Sequence, residues 1–111
     1  MIFSDAGPDI HWIGNERGIA GETFWSMLDR TKVAVGDADT DYLNTGDFYG
    51  TSWVIGQCDV SIRPGWFYHA KEDENFRTPA QLVDLYYKSV GRNAVFLLNI
   101  PVASDKVWDK L

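Results

Sequence analysis

At 111 residues the chain is long enough to bury a core of its own. Its apolar fraction of 45% beside 23% charged residues is a folded balance, which excludes a disordered segment. The net charge of −6, with Lys and Arg unclustered, excludes the basic face that a nucleic-acid partner requires. No apolar run approaches the roughly 20 residues that span a bilayer, and the lone Cys58 excludes both an internal disulfide and a multi-cysteine zinc site.

In chain order, Met1–Phe3 reads as a short apolar strand running into the turn-rich SDAGPD. From Ile10 to about Gly21 no helical period appears, which predicts an extended loop, and Thr23–Leu28 reads as another short strand. The stretch 37–50, rich in Asp and Gly, predicts a long surface excursion. Its alternating Asp37, Asp39 and Asp41 suit a hard cation by type, but the glycine and glutamate of an EF-hand loop are missing, so a solvated acidic loop is expected.

Asp59–Arg63 alternates Val60 and Ile62 against Ser61 and Arg63, the pattern of a strand, with Asp59 and Arg63 as possible structural partners. Pro64-Gly65 ends it and delivers Trp66, Phe67, Tyr68 and His69 beyond its carboxyl end, where α/β sheets and barrels place ligands. A packed aromatic corner accounts for the same four residues. The clearest helix is Pro79–Val90, with Thr78 as N-cap, Pro79 at the first position, Gln81 completing a capping box and Gly91 as the stop. Leu82, Val83, Tyr86, Tyr87 and Val90 share its apolar stripe. Ala94–Leu98 is a continuous apolar run, the pattern of a strand buried on both faces. Strand, helix and strand make one βαβ unit, which predicts parallel pairing and an α/β fold.

Three blocks, IFSDAGPDIHWIGNE at 2–16, DVSIRPGWFYH at 59–69 and YYKSVGRNAVFLLNIP at 86–101, resemble the α-L-fucosidases of glycoside hydrolase family 29, in the branch that cleaves α-1,3/1,4-linked fucose. The resemblance implies a partial (β/α)8 TIM barrel, with 1–111 as the C-terminal portion of the catalytic barrel, roughly its last four strands with their helices and loops. Such barrels take about 250 residues. The family's nucleophile, an aspartate in a Trp-Phe-Asp-Gly segment, has no counterpart here. The chain therefore resembles a truncated reading frame, and it is expected to be inactive alone and to need the missing N-terminal half of the barrel as a partner.

By the same resemblance Glu16 is the acid/base of retaining hydrolysis, with Trp12 and Ile13 supplying apolar surface just upstream and Arg17 a neighbouring charge. Trp66, Tyr68, His69, Trp12 and Asn99 are the implied contacts of a fucosylated oligosaccharide, aromatic faces suiting the C–H-rich side of fucose and His and Tyr its hydroxyls. No metal and no cofactor is implied, and His69 with Glu72 and Asp73 is too common a loop pattern to suggest otherwise. The start MIFSDAG lacks the regions of a signal peptide, so the address is unknown from the chain, although the family is usually exported. His11 stands where the family usually has arginine, which is expected to alter the leaving-group side near Glu16. Gln57 replaces a usual glutamate, and VASDKVWDKL departs from the family pattern. A non-catalytic fucose- or glycan-binding module and an inactive truncated product are the alternative readings.

Overall fold

The structure is a computed structural model that describes residues 1–103. The departing tail after Ala103 lies outside the described residues. Four parallel strands form the main sheet: β1 (Phe3–Ser4), β2 (Ile10–Trp12), β5 (Ile55–Ser61) and β6 (Val95–Asn99), in the order β1-β2-β5-β6. A second, two-stranded antiparallel sheet pairs β3 (Met27–Leu28) with β4 (Ser52–Trp53). Helix α1 spans Thr40–Thr45 and α2 spans Pro79–Ser89. No helix among the described residues is long and apolar enough to cross a membrane.

The α/β expectation holds, and the β5-α2-β6 unit is parallel, in register from Gln57↔Val95 to Ser61↔Asn99. Helix α2 begins as the sequence predicts. The Thr78 hydroxyl accepts from the Gln81 amide at 3.3 Å and the Gln81 side chain accepts from the Thr78 amide at 2.8 Å, satisfying two of the helix's orphan N–H groups.

Several local expectations need correction. Ile10–Trp12 is a strand between β1 and β5, inside the stretch expected to be a loop. Three residues are too few to show a period. The 37–50 excursion contains α1, nucleated by Asp39, whose carboxylate accepts from the Asp41 amide at 2.8 Å, and Leu43 of that helix is buried. The inward line of α2 runs through Leu85 and Ser89, while Val83, Tyr86, Tyr87 and Val90 stay exposed. Ser89 tolerates burial because its hydroxyl donates back to the Leu85 carbonyl at 2.7 Å.

Side chains alternate along β5, so Gly56, Cys58 and Val60 take one face and Ile55, Gln57, Asp59 and Ser61 the other. The first face is covered by a cluster of Ile13, Ala20, Phe24, Cys58 and Ala94. A second cluster, Leu28, Leu43 and Val54, sits under α1 and the small sheet. The opposite face of the main sheet is open. There Leu97 is 50% and Val95 36% exposed, so β6 is buried on one face instead of two. Nothing among the described residues covers that side, and β1 and β6 each keep one unpaired edge among the described strands.

Candidate active site

The residues singled out by the sequence lie on the open face and at the carboxyl ends of β2, β5 and β6. Beyond β2 the chain turns at Gly14, whose φ of +90° and close approach to the Thr40 carbonyl leave no room for a Cβ. Asn15 then fixes the loop on both sides of Glu16. Its Oδ1 accepts from the Arg17 amide at 3.0 Å, and its Nδ2 donates to the Ile19 carbonyl at 3.0 Å and to Asn44 Oδ1 at 3.2 Å. Glu16 projects from this loop exposed.

Beyond β5 the Pro64-Gly65 corner returns the chain toward the same place. The Ser61 hydroxyl donates to the Gly65 carbonyl at 2.7 Å and accepts from Asn99 Nδ2 at 3.2 Å, and Asn99 Nδ2 also donates to the Trp66 carbonyl at 2.9 Å. Asn99 thus works first as a clamp on the aromatic segment, with both amide hydrogens engaged. The result is that the Trp66 indole N–H donates to Glu16 Oε2 at 3.0 Å, across 50 positions of sequence.

A second indole–carboxylate pair stands on the open face. Trp12 Nε1 donates to Asp59 Oδ1 at 2.8 Å. Burial pushes the Asp59 carboxyl above its ordinary range, against the Trp12 indole and its own backbone N–H, and the Glu16 charge pushes it the same way as burial. The sequence offered Arg63 as the partner of Asp59, but Arg63 pairs with Asp73 at 3.0 Å and stacks over the Tyr68 ring at 4.9 Å.

Glu16, Trp66 and Asn99 are brought together by these contacts, while Trp12 pairs with Asp59 across β2 and β5. Tyr68 and His69 lie further along the loop: the Tyr68 hydroxyl donates to Asp73 Oδ2 at 3.1 Å, and exposed His69 precedes a 3₁₀ turn at Ala70–Glu72. Phe67 is 78% exposed. Among the described residues no cluster of His, Cys, Asp or Glu could hold a metal ion. His11 does not line the site. Its ring is buried on the covered face between the Val54 carbonyl at 3.2 Å and the Leu43 carbonyl at 3.1 Å, and burial lowers its pKa. Sequence reasoning missed Asp59 and Asn15 as site builders, because their partners are distant or purely backbone.

No family model matches the chain. It is, however, 56% identical over 105 residues to α-L-fucosidase 1 of Arabidopsis thaliana, a match covering 95% of this chain and 20% of that one. A glycoside hydrolase 29 family member from an unknown rumen bacterium superposes with a TM-score of 0.82 at 45% identity, over 92% of this chain and 18% of that chain. The chain is thus similar to one segment of glycoside hydrolase family 29 proteins. The family 29 fucosidase E1_10125 of Ruminococcus gnavus, solved in complex with fucose, also matches, at 33% identity and a TM-score of 0.76 over 99% of this chain and 22% of that one. The chain spans about 20% of the length of the curated relative it matches.

Proposed function

We propose that the chain forms the acid/base side of a retaining α-L-fucosidase, as the C-terminal portion of its catalytic barrel. Its substrate is a glycan ending in α-1,3/1,4-linked L-fucose. The observation that carries this reading is the Trp66 indole held on the Glu16 carboxylate, at the carboxyl ends of parallel strands, within sequence 56% identical to an α-L-fucosidase. Retaining hydrolysis uses two carboxyl groups about 5 Å apart, one forming the glycosyl-enzyme and the other serving as acid and then base. Glu16 is the second. It protonates the leaving glycosidic oxygen and later takes a proton from the attacking water. The Trp66 indole occupies Oε2 and so leaves Oε1 to carry the proton. Trp12, fixed by Asp59, and the aromatic segment from Trp66 offer faces to the apolar side of the sugar. The nucleophile comes from a part of the barrel that this chain does not contain, so the chain alone does not turn over.

The test is a chimera in which this chain replaces the matching 105 residues of the Arabidopsis relative. It is expected to release fucose from an aryl α-L-fucoside and from a fucosylated oligosaccharide, with α-L-fucose as the first-formed anomer by NMR. Glu16→Gln should lower kcat by about 100- to 10,000-fold on the oligosaccharide, whose poor leaving group needs the acid. Unchanged turnover in that variant, or release of the β anomer first, would sink the assignment.

A further inference from the structure

Glu16 is exposed, and the one bond at its tip, from the Trp66 indole to Oε2, does not by itself fix where the other oxygen points. That direction depends on the backbone beneath it. The loop from Gly14 to Gly21 is seated on α1 at both ends. At its start the backbones touch, since an added Cβ on Gly14 would lie 2.7 Å from the Thr40 carbonyl oxygen. At its close the Gly21 amide donates to the Asn44 carbonyl at 3.0 Å. Between them Asn44 Oδ1 accepts from Nδ2 of Asn15, the residue immediately before Glu16, at 3.2 Å. The seat is itself anchored. Leu43, beside Asn44, is buried against Leu28 and Val54, and its carbonyl faces His11 Nε2 at 3.1 Å. The other ring nitrogen of His11 faces the Val54 carbonyl at 3.2 Å.

His11 belongs to β2 and Val54 leads into β5. Asn44 therefore presents its amide from a point tied to the two strands whose carboxyl ends carry the Glu16 loop and the Trp66 segment. A helix of six residues would hold nothing by itself, and the packing of Leu43 is what makes it a fixed point. We infer that Asn44 is a positioning residue for Glu16, acting through Asn15 to set the direction in which the free carboxylate oxygen meets the leaving glycosidic oxygen. The inference rests on the hydrolase reading and gives the acidic excursion a part in the reaction. Proton transfer is sensitive to such aim, because a misplacement of about 1 Å can cost on the order of 100-fold. Cutting the Asn44 bond alone costs less than that, since Asn15 keeps its bonds to the Ile19 carbonyl and the Arg17 amide.

The test uses the chimera described above and compares kcat/KM on two substrates. One is an aryl α-L-fucoside, whose leaving group needs no acid; the other is a fucosylated oligosaccharide, whose leaving group does. Asn44→Ala is expected to lower kcat/KM about tenfold on the oligosaccharide and to leave the aryl fucoside within about twofold. Asn44→Asp, which keeps an acceptor for Asn15 Nδ2, should restore most of the loss. Asn15→Ala cuts the link from the other side and should show the same selectivity. Adding Asn44→Ala to it should cost no more, because the two residues act as one link. Equal loss on both substrates, the mark of a merely loosened fold, would overturn the inference, as would an Asn44→Asp variant no better than Asn44→Ala. In either case a Glu16→Gln variant that still loses the oligosaccharide selectively leaves the hydrolase reading standing. A Glu16→Gln variant without that selectivity would sink the hydrolase reading, and the role of Asn44 with it.

Discussion

Replacing Gly46 with alanine tests the joint on which the loop layer turns. Gly46 follows α1 with φ 66° and ψ −170°, a region that side chains with a Cβ scarcely enter. That conformation alone costs alanine about 1–3 kcal/mol. The larger difficulty is space, because an added Cβ would lie 1.7 Å from the Trp25 carbonyl oxygen, with the Trp25 backbone carbon and Cα behind it. Backbone must move to admit it. The bonds that fix the place are Gly46 N–H to the Tyr42 carbonyl at 2.9 Å, Trp25 N–H to the Thr45 carbonyl at 2.9 Å and Asp47 N–H to the Met27 carbonyl at 2.8 Å. Losing two of these at about 1 kcal/mol each brings the total to about 3–5 kcal/mol. Gly36 is the control. Its φ is +82° but nothing lies within 4 Å of the added Cβ, so alanine there costs only about 1–2 kcal/mol of left-handed backbone. Urea unfolding, read by the fluorescence of the five Trp, separates the two. With a slope of about 1–3 kcal/mol per molar urea, the Gly46→Ala midpoint should fall roughly 1 M or more below that of Gly36→Ala. Equal midpoints would refute the packing described at this joint.

Two further outcomes follow from the carboxyl ends of the strands and from the covered face. Because the folded pKa of Asp59 is raised, the native state binds more protons than the unfolded one across the range just above the ordinary carboxylate value. Stability therefore falls as pH rises through that range. Asp59→Asn, which retains an acceptor for the Trp12 indole, should flatten this slope and gain stability at pH 7 relative to pH 3. The same pH slope of the urea midpoint in both proteins would contradict it. Cys58 is fully buried, and burial pushes its thiol up to about 12. Ellman's reagent at pH 8 should leave it unmodified in the folded chain and react at once in urea, because the thiolate is the nucleophile. Rapid labelling without denaturant would mean that the Ile13–Cys58–Ala94 cluster is not closed.

What the sequence made legible was whatever is local. Thr78 and Gln81 announce the start of α2 three residues apart, and the apolar run ending at Leu98 announces β6. Strand β2 was invisible because its identity comes from pairing on both sides, which three residues do not encode. Helix α1 was hidden in an acidic stretch, where Asp39 serves as its N-cap. The family resemblance brought Glu16 and Trp66 forward. Their meeting, like that of Trp12 with Asp59, is a product of strand order. The exposed stripe of Val83, Tyr86 and Tyr87 on α2 misled for the opposite reason. Apolar spacing records that a face is to be covered, and says nothing of whether the cover lies within the same stretch of chain.

The bond from Trp66 to Glu16 has a kinetic side. The two residues are 50 positions apart, so closing the intervening chain must precede the contact, and that closure entropy falls due before any reward from the bond. Until the segment after β5 has folded back and been clamped by Asn99, the glutamate is one more solvated side chain sampling its rotamers. Its aim is therefore set late, and by the same event that completes the sheet. A carboxylate held in this way has no fixed direction in any partly folded form of the chain.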